Sequence, residues 1–252
     1  MPVSWPRPRA AALAWLAALI LGWPAAASAQ DGLVFLDVNA GARATSRTFV
    51  DNAVFTELFE EGDLDATYSV PNGPTIDVTG GVWLGRGLAV GVGYARFERQ
   101  DEATLSARIP HPLFFGRNRP VSGSAGLIRR TEHAIHLQLR WYAAGSGRLS
   151  LALFGGPTIY RIQQPVVTGV VYTDAYPFET ATFLSAETQP VSATAFGLHA
   201  GVDVSVFVTR TVGFGVTATL GRGTAEADLG DAGITTLEAG GFEAGGGLRL
   251  RF

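Results

Sequence analysis

The stretch Phe242-Glu-Ala-Gly-Gly-Gly-Leu-Arg-Leu-Arg-Phe252 decides the fold class, because it alternates strictly between two kinds of residue. Its odd positions include Glu243, Arg249 and Arg251. None of its even positions is charged; these are Phe242, Ala244, Gly246, Leu248, Leu250 and Phe252. A period of two is typical of a β-strand, which points successive side chains to opposite faces. This strand therefore has one apolar face and one ionic face.

Seven further stretches alternate in the same way, and in each of them one face is almost wholly apolar. They begin near residues 34, 76, 88, 135, 149, 196 and 212. Short turns near 85–87, 143–148 and 209–210 alternate with long segments at 46–73, 101–128, 164–191 and 228–235. Bacterial outer-membrane barrels combine short turns, long outer loops and an even number of strands. The sequence thus predicts an all-β fold, an eight-stranded antiparallel up-and-down transmembrane β-barrel with four long extracellular loops.

A soluble β-sandwich also alternates, and the composition of the polar face separates the two folds. Here that face is mostly Gly, Thr and Ser with isolated charges of both signs, which suits the narrow interior of a small barrel. Closure is also required in lipid, where no water satisfies unpaired backbone groups. Pro157 fits least well because it lacks a ladder donor. We expect either a bulge after Gly155-Gly156 or an early end of that strand.

The first 29 residues predict a secretory signal peptide. Arg7 and Arg9 precede the uncharged run Ala10–Gly22, and Ala27-Ser28-Ala29 follows as a cleavage site. The alternative is an uncleaved anchor helix, which Pro24 disfavours. We therefore divide the chain into a signal peptide at 1–29 and a barrel at 30–252, and expect the barrel in the bacterial outer membrane.

The composition of the 252-residue chain excludes several kinds of chemistry. It has no cysteine, and its 19 basic side chains are all arginine. Disulfides, thiolate nucleophiles, zinc–thiolate sites, a Walker A lysine and Schiff-base chemistry are therefore ruled out. The net charge of -3 argues against a nucleic-acid partner. The four scattered histidines do not suggest a metal site, and we expect no cofactor.

The C-terminal strand also carries a resemblance. Phe252, preceded by Leu250 and Leu248 at alternating positions, is similar to the C-terminal assembly signal of outer-membrane barrel proteins, and we include Phe242 in it. The resemblance implies that the barrel-assembly machinery reads this strand during insertion. Position 250 departs from the pattern, since an aromatic residue is more usual there.

The resemblance extends over nearly all of the chain after the signal peptide. The sequence resembles the small eight-stranded barrels (OmpA-, OmpX- and OmpW-like). The stretches Gly91–Phe97, Ile109–Phe115 and Ala239–Phe252 resemble an uncharacterised group of outer-membrane β-barrel domain proteins. This likeness implies a fold and a location, and it supplies no activity to carry over.

The charged residues on the polar faces are predicted to lie inside the barrel. A polar channel is one interpretation; a solid core of paired arginines and carboxylates is the favoured one, because eight strands enclose little space. An unpaired buried charge is costly, so we expect Arg140 and Arg249 to meet carboxylates. The predicted network is Asp37, Asp77, Glu132, His136, Arg140, Asp203, Glu243, Arg249 and Arg251.

The long segments hold the candidate binding residues. Arg96, Arg117 and Arg119 are candidates for bidentate contacts with lipopolysaccharide phosphates. Aromatic residues in these segments either bind a partner or lipid headgroup, or extend the strands and form the outer aromatic girdle. His133 has outward parity and lies near the outer end of its strand, the level at which lipid A-modifying barrel enzymes place catalytic groups, but no matched serine and acid accompany it.

These observations favour an integral outer-membrane protein with a structural or surface-binding role through its extracellular loops. The alternative is a narrow channel for small or apolar molecules, and a lipid A-modifying enzyme comes third. The expected partners are outer-membrane lipid, lipopolysaccharide and the assembly machinery. We expect a monomer and no enzymatic activity.

Overall fold

The computed structural model describes residues 33–146, 148–228 and 234–252, and for 143–146, 228, 234 and 235 it describes the backbone alone. The predicted signal peptide at 1–29 lies outside the described residues. Within them no helix is long and apolar enough to cross a bilayer. The strands are β1 (Val34–Arg43), β2 (Arg47–Glu57), β3 (Glu60–Val70), β4 (Gly73–Gly85), β5 (Leu88–Pro110), β6 (Asn118–Ser146), β7 (Leu149–Asp174), β8 (Ala181–Phe207), β9 (Val212–Asp228) and β10 (Ile234–Arg251).

Eight of these strands close into a ring in which every neighbouring pair is antiparallel. The order around the ring is β1, β4, β5, β6, β7, β8, β9 and β10, and β10 pairs back to β1. The prediction of an eight-stranded antiparallel barrel is therefore confirmed. The other two strands, β2 and β3, form a hairpin whose second strand pairs with the far part of β5.

The ring has a proximal end, where the start of β1, Phe252 and the short turns lie, and a distal end with the other connections. Strand structure continues into the segments that we expected to be loops. The segment 46–73 is largely the β2–β3 hairpin, and β5, β6, β7 and β8 leave only 111–117 and 175–180 as distal connections. Strand β9 runs to Asp228 and β10 begins at Ile234. The reason is that the distal strands bury apolar side chains of their own.

The proximal half of the ring has the two faces that the alternation predicts. Large apolar side chains point outward, such as Ile135, Leu198 and Leu220, which are 53%, 68% and 61% exposed. Polar side chains on the same strands, such as Arg140 and His199, are buried inside. About ten tilted residues span the ~25 Å apolar band of an outer-membrane barrel. This surface is therefore a lipid-facing belt.

In the distal half the arrangement of the two faces is inverted. On β5 the apolar residues Ala103, Leu105 and Ile109 are buried, whereas Thr104 and Ser106 beside them are exposed. An apolar inner face and a polar outer face are typical of a sheet in water. The distal half is thus built as a water-exposed β-domain, which we call the outer domain: β2, β3 and the distal parts of β5, β6, β7 and β8.

The outer domain is a two-layered sandwich with its own apolar core. One layer is the sheet β2–β3–β5–β6, and the other is the distal β7–β8 hairpin. Leu64 and Leu105 of the sheet pack in one cluster with Val166 and Val167 of the hairpin. Pairing of β7 with β6 ends at Gln163, and pairing of β8 with β9 ends at Phe196. The hairpin is therefore free of the ring above these points and folds onto the sheet.

Pro157 neither produces a bulge nor ends its strand. Strand β7 continues to Asp174, and the register against β6 is the same on both sides of the proline. Pairing is instead interrupted where Gly156 and Pro157 face Leu137 and Gln138. Because Pro157 has no backbone N–H, the hydrogen bonding between β6 and β7 is interrupted at this point.

Candidate functional site

The interior of the ring contains two groups of ion pairs, one near each end. In the proximal group, Asp37 accepts a hydrogen bond from Arg140 and lies 3.7 Å, oxygen to Nε, from Arg249. Arg249 also donates from Nε to Asp203 over 3.0 Å. All four side chains are at least 95% buried. Two carboxylates therefore neutralise two arginines at this level, and Asp37 is shared between both.

Arg251 lies beside this group without a carboxylate. Its guanidinium carbon is 3.7 Å from the centroid of the Phe207 ring, and it also faces Trp83 and Tyr142. It donates a hydrogen bond to Ser150 over 3.1 Å. The cation is thus held mainly by aromatic faces, which attract guanidinium groups.

The distal group is built around Glu132. Arg43 and Arg130 each contact this carboxylate, at 2.8 and 2.7 Å. Arg43 also pairs with Glu243 at 2.8 Å, and Arg130 donates to Gln164 at 2.9 Å. Sequence reasoning missed Arg130 because it lies beyond the length of strand that a bilayer requires. Its parity, which matches that of Glu132, was the available signal.

A layer whose described side chains form hydrogen bonds and no ion pair separates the two groups. Thr158 hydrogen bonds to Nδ1 of both His136 and His199 over 2.9 Å. Asp77 accepts a hydrogen bond from Asn39 over 3.0 Å. Asn39, Asp77, His136 and His199 line a cavity of about 60 Å³, which has room for a few water molecules. Asp77 and His136, which we predicted as members of the charge network, therefore face the interior without joining either ion-pair group.

Apolar side chains cover the distal side of the interior. Tyr160, Ile162 and Leu237 form one buried cluster with small residues of the ring. The core of the outer domain follows beyond this layer. The interior is consequently a packed core from the proximal ion pairs to the outer domain.

Two tyrosines join the layers of the outer domain. Tyr68 accepts a hydrogen bond from the Val167 backbone N–H over 2.7 Å, and burial raises the pKa of Tyr68 to about 12. Tyr172 donates to Glu57 over 2.7 Å; burial is the main cause of the raised pKa of Tyr172, and Glu57 adds to it. Both tyrosines are therefore neutral near pH 7 and hold the hairpin to the sheet.

The three arginines predicted to contact lipopolysaccharide lie in different environments. Arg96 and Arg117 have half-exposed side chains and pair with Glu98 and Glu179. The prediction is wrong for Arg119, whose side chain is only 2% exposed and pairs with Asp174 at 2.7 Å. An inward position on β6 places it in the outer domain, away from any lipid surface.

The histidines make few polar contacts. The outward-facing His133 hydrogen bonds through Nδ1 to the Tyr94 hydroxyl over 2.6 Å. Nδ1 of the buried His111 accepts from the Leu113 backbone N–H over 3.1 Å. Among the described residues, no group of three or more His, Asp or Glu side chains is placed to hold a metal ion.

The C-terminal strand closes the ring against β1. Phe252 and Val34 exchange two backbone hydrogen bonds, of 2.8 and 2.9 Å. Phe242 and Phe252 are exposed on the outer surface, and Leu248 and Leu250 are half-buried. The four residues that we predicted as an assembly signal therefore share the lipid-facing side of the closing strand.

Comparison with known proteins supports the same architecture. No protein-family model matches this chain, and no curated protein matches it in sequence. It is similar in structure to the outer-membrane protein OprG from Pseudomonas aeruginosa, with 8% identity and a TM-score of 0.50 over 88% of this chain and 97% of that one. The outer-membrane protease OmpT from Escherichia coli is also similar, with 11% identity and a TM-score of 0.48 over 90% and 99% of the two chains. Neisserial surface protein A is similar with 11% identity and a TM-score of 0.42 over 87% of this chain and 97% of that one.

At this identity the OprG match shows the fold alone. A closed cylinder of eight strands, an apolar outer belt and an ionic interior are the features of an integral outer-membrane barrel. The chain therefore has the fold of the small bacterial outer-membrane β-barrels, as the sequence predicted.

Proposed function

We propose that this protein is a surface-binding protein of the outer membrane, in which the ring anchors the outer domain at the cell surface. The observation that carries the proposal is the separate apolar core of the outer domain. Strands long enough only for the bilayer would satisfy an anchor, yet β6 and β8 have 29 and 27 residues. Much of the chain therefore forms the outer domain, which lies beyond the lipid.

The packed interior argues against the alternative of a narrow channel. Buried ion pairs fill both ends of the interior, and the cavity between them measures only about 60 Å³. Two clusters of buried apolar side chains lie beyond it. A solute would have to separate charges that are paired in a low-dielectric core, which is expensive.

The histidine contacts argue against an acyl-transfer enzyme. In the described part of the chain, the histidine side chains hydrogen bond to Tyr94, Thr158 and backbone groups, and none to a serine or a carboxylate. A nucleophile needs a base that is oriented by a third group. We therefore propose a non-catalytic role.

Two experiments test the proposal. The first measures conductance of the full mature chain in planar bilayers, with a trimeric porin as the positive control. We expect no conductance steps, because the interior is packed. Stable steps that grow with salt concentration would establish the channel instead.

The second experiment removes the β2–β3 hairpin, residues 47–70, and joins its ends by a short Gly-Asn linker. The hairpin lies outside the ring, so heat-modifiable migration in gels should persist as evidence of a folded barrel. We expect cells that display the full chain to adhere to protein-coated surfaces better than cells that display the shortened one. Equal adhesion of both, and of cells without the chain, would refute a binding role.

A further inference from the structure

Three strand connections converge at the distal end of the outer domain, and each exposes a large aromatic side chain. Phe59 lies between β2 and β3, Phe115 between β5 and β6, and Tyr176 between β7 and β8. Their exposed fractions are 97%, 84% and 83%. Leu113 and Phe114 beside Phe115 are also more than half exposed. We call the segments 57–61, 111–117 and 174–180 the distal tip.

Polar contacts hold the three connections together. The Gly116 backbone N–H donates to the Glu60 carboxylate, which links the β5–β6 connection to the β2–β3 turn. Arg117 pairs with Glu179 at 2.5 Å and so links it to the β7–β8 connection. Arg119 adds a hydrogen bond to the Phe178 carbonyl over 3.2 Å. The exposed aromatic residues therefore belong to one surface.

Three bulky residues at the tip have a strained backbone conformation. Leu58, Phe59 and Phe178 have φ angles of 53°, 66° and 67°. Bulky residues rarely adopt this left-handed region, and Gly or Asn is the usual choice in a tight hairpin turn. Strained positions of this kind concentrate at binding sites. Phe59 is thus both strained and 97% exposed, which indicates that this surface is used for contact.

The charge of the tip indicates which partner it fits. The three segments contain Arg117 as their one fixed positive charge. Their acidic residues are Glu57, Glu60, Glu61, Asp174 and Glu179, of which Asp174 and Glu179 are paired with Arg119 and Arg117. An aromatic surface with an acidic rim attracts cations through both ion pairs and aromatic faces. It repels an anionic bilayer and also a second copy of itself.

We propose that the distal tip docks a polypeptide surface that combines apolar side chains with Lys or Arg. This inference rests on the proposed surface-binding function and specifies the site and the chemistry of its partner. The apolar residues of the partner cover Phe59, Phe115 and Tyr176, and its cations meet the acidic rim. Exposed aromatic patches rimmed by charge are typical of protein–protein sites.

The test uses the full mature chain in zwitterionic phosphatidylcholine nanodiscs and three labelled synthetic peptides. The first peptide alternates Lys with Leu and Trp; the second replaces Lys by Glu; the third replaces Leu and Trp by Ser. Fluorescence anisotropy measures binding, and empty nanodiscs give the lipid background. We expect the first peptide to bind on the order of tenfold more tightly than either control, and to weaken as ionic strength rises.

Matched variants locate the site. The triple variant Phe59→Ser/Phe115→Ser/Tyr176→Ser should lose binding by roughly tenfold or more, since exposed aromatic residues dominate such contacts. The control Val50→Ser/Leu127→Ser removes two apolar side chains of the outer domain that are 56% and 71% exposed but lie outside the tip. It should bind like the parent protein. Heat-modifiable migration confirms that each variant is folded.

Five outcomes would overturn the inference. Equal binding of the Lys and Glu peptides would show that charge does not select the partner. Unchanged binding by the triple variant would show that the distal tip is not the binding site. Tip-dependent binding of phosphatidylglycerol vesicles would replace the polypeptide by a membrane, and a dimer that only the triple variant abolishes would replace it by a second copy. If the tip variants adhere like the parent while the hairpin-deleted chain does not, the surface-binding function stands and the tip proposal alone fails.

Discussion

Replacement of Asp37 by Asn should destabilise the barrel more than the same replacement of Asp203. Asp37 contacts both Arg140 and Arg249, whereas Asp203 contacts Arg249 alone. In Asp203→Asn, Arg249 keeps Asp37 at 3.7 Å. In Asp37→Asn, Arg140 is left with the Tyr142 hydroxyl at 3.4 Å. A buried guanidinium without a carboxylate is therefore created only by the first variant.

The magnitude follows from the separation of the charges. At 3.7 Å and an effective dielectric constant of about 20, one pair of unit charges attracts by about 4.5 kcal/mol. Part of this is offset because the neutral amide is easier to bury than the carboxylate. We expect Asp37→Asn to lower the free energy of unfolding by roughly 3–5 kcal/mol. Asp203→Asn should lower it by roughly 1–3 kcal/mol, since one carboxylate remains near Arg249.

Urea unfolding in phosphatidylcholine vesicles, followed by tryptophan fluorescence, measures both values at a shared m-value. The exposed pair of Asp63 with Arg108 supplies the control, because water screens these charges and Asp63→Asn should leave the free energy of unfolding nearly unchanged. Equal effects of Asp37→Asn and Asp203→Asn would show that Asp37 is not shared between Arg140 and Arg249 as described. Effects below about 1 kcal/mol for both would mean that water screens these charges and that the interior is not packed.

Three further expectations concern the closing strand, the outer domain and assembly. Gly247→Ala should block folding, because a Cβ there would collide with the Val38 carbonyl, whereas Gly126→Ala has open space and should insert normally; gel migration after refolding distinguishes the two. The raised pKa of Tyr68, about 12 against an ordinary value near 10, contributes stability that is present below pH 10 and lost as the pH rises toward 12. Limited proteolysis of the outer domain across this range should show the loss, and Tyr68→Phe should remove this part of it. Phe252→Ser should slow insertion by the assembly machinery while the urea midpoint of inserted protein stays the same, because the side chain is 61% exposed at the end of the ring; normal cellular insertion would count against the assembly signal.

Much of the ring could be predicted from the sequence because lipid imposes a simple rule. Outward residues such as Leu198 and Leu220 must be apolar, and inward charges such as Arg249 must be paired, so parity assigns the charged and the lipid-facing side chains to their faces. Partners could not be predicted in the same way. Strand pairing across the ring brings Arg249 to Asp203, 46 residues away, and Arg43 to Glu243, 200 residues away. Alternation says which face a residue occupies, and only the register says what it meets.

The outer domain was predicted as loops although its sequence carries the same signal. The run Glu102–Ile109 alternates as regularly as any membrane strand, with Ala103 and Leu105 buried between exposed polar residues. Its apolar residues, however, occupy the inward parity of β5, whereas Val92 and Tyr94 occupy the outward parity. A search for strands that continue one apolar outer face stops at this change. The change of apolar face is therefore the reason why alternation alone predicts a loop for this segment.

This inversion locates the boundary between the two environments. An apolar side chain lowers the free energy by facing outward where lipid surrounds the strands, and by facing inward where water surrounds them. The change of apolar parity along one continuous strand therefore marks the boundary between lipid and water. On β5 the change falls between Tyr94 and Ala103. The distal ion-pair group sits at the level of Glu132, which pairs with Phe97 within this interval. The buried charges at that level therefore lie between two interiors. On the proximal side the interior is polar because lipid surrounds the ring, and on the distal side it is apolar because water surrounds the outer domain.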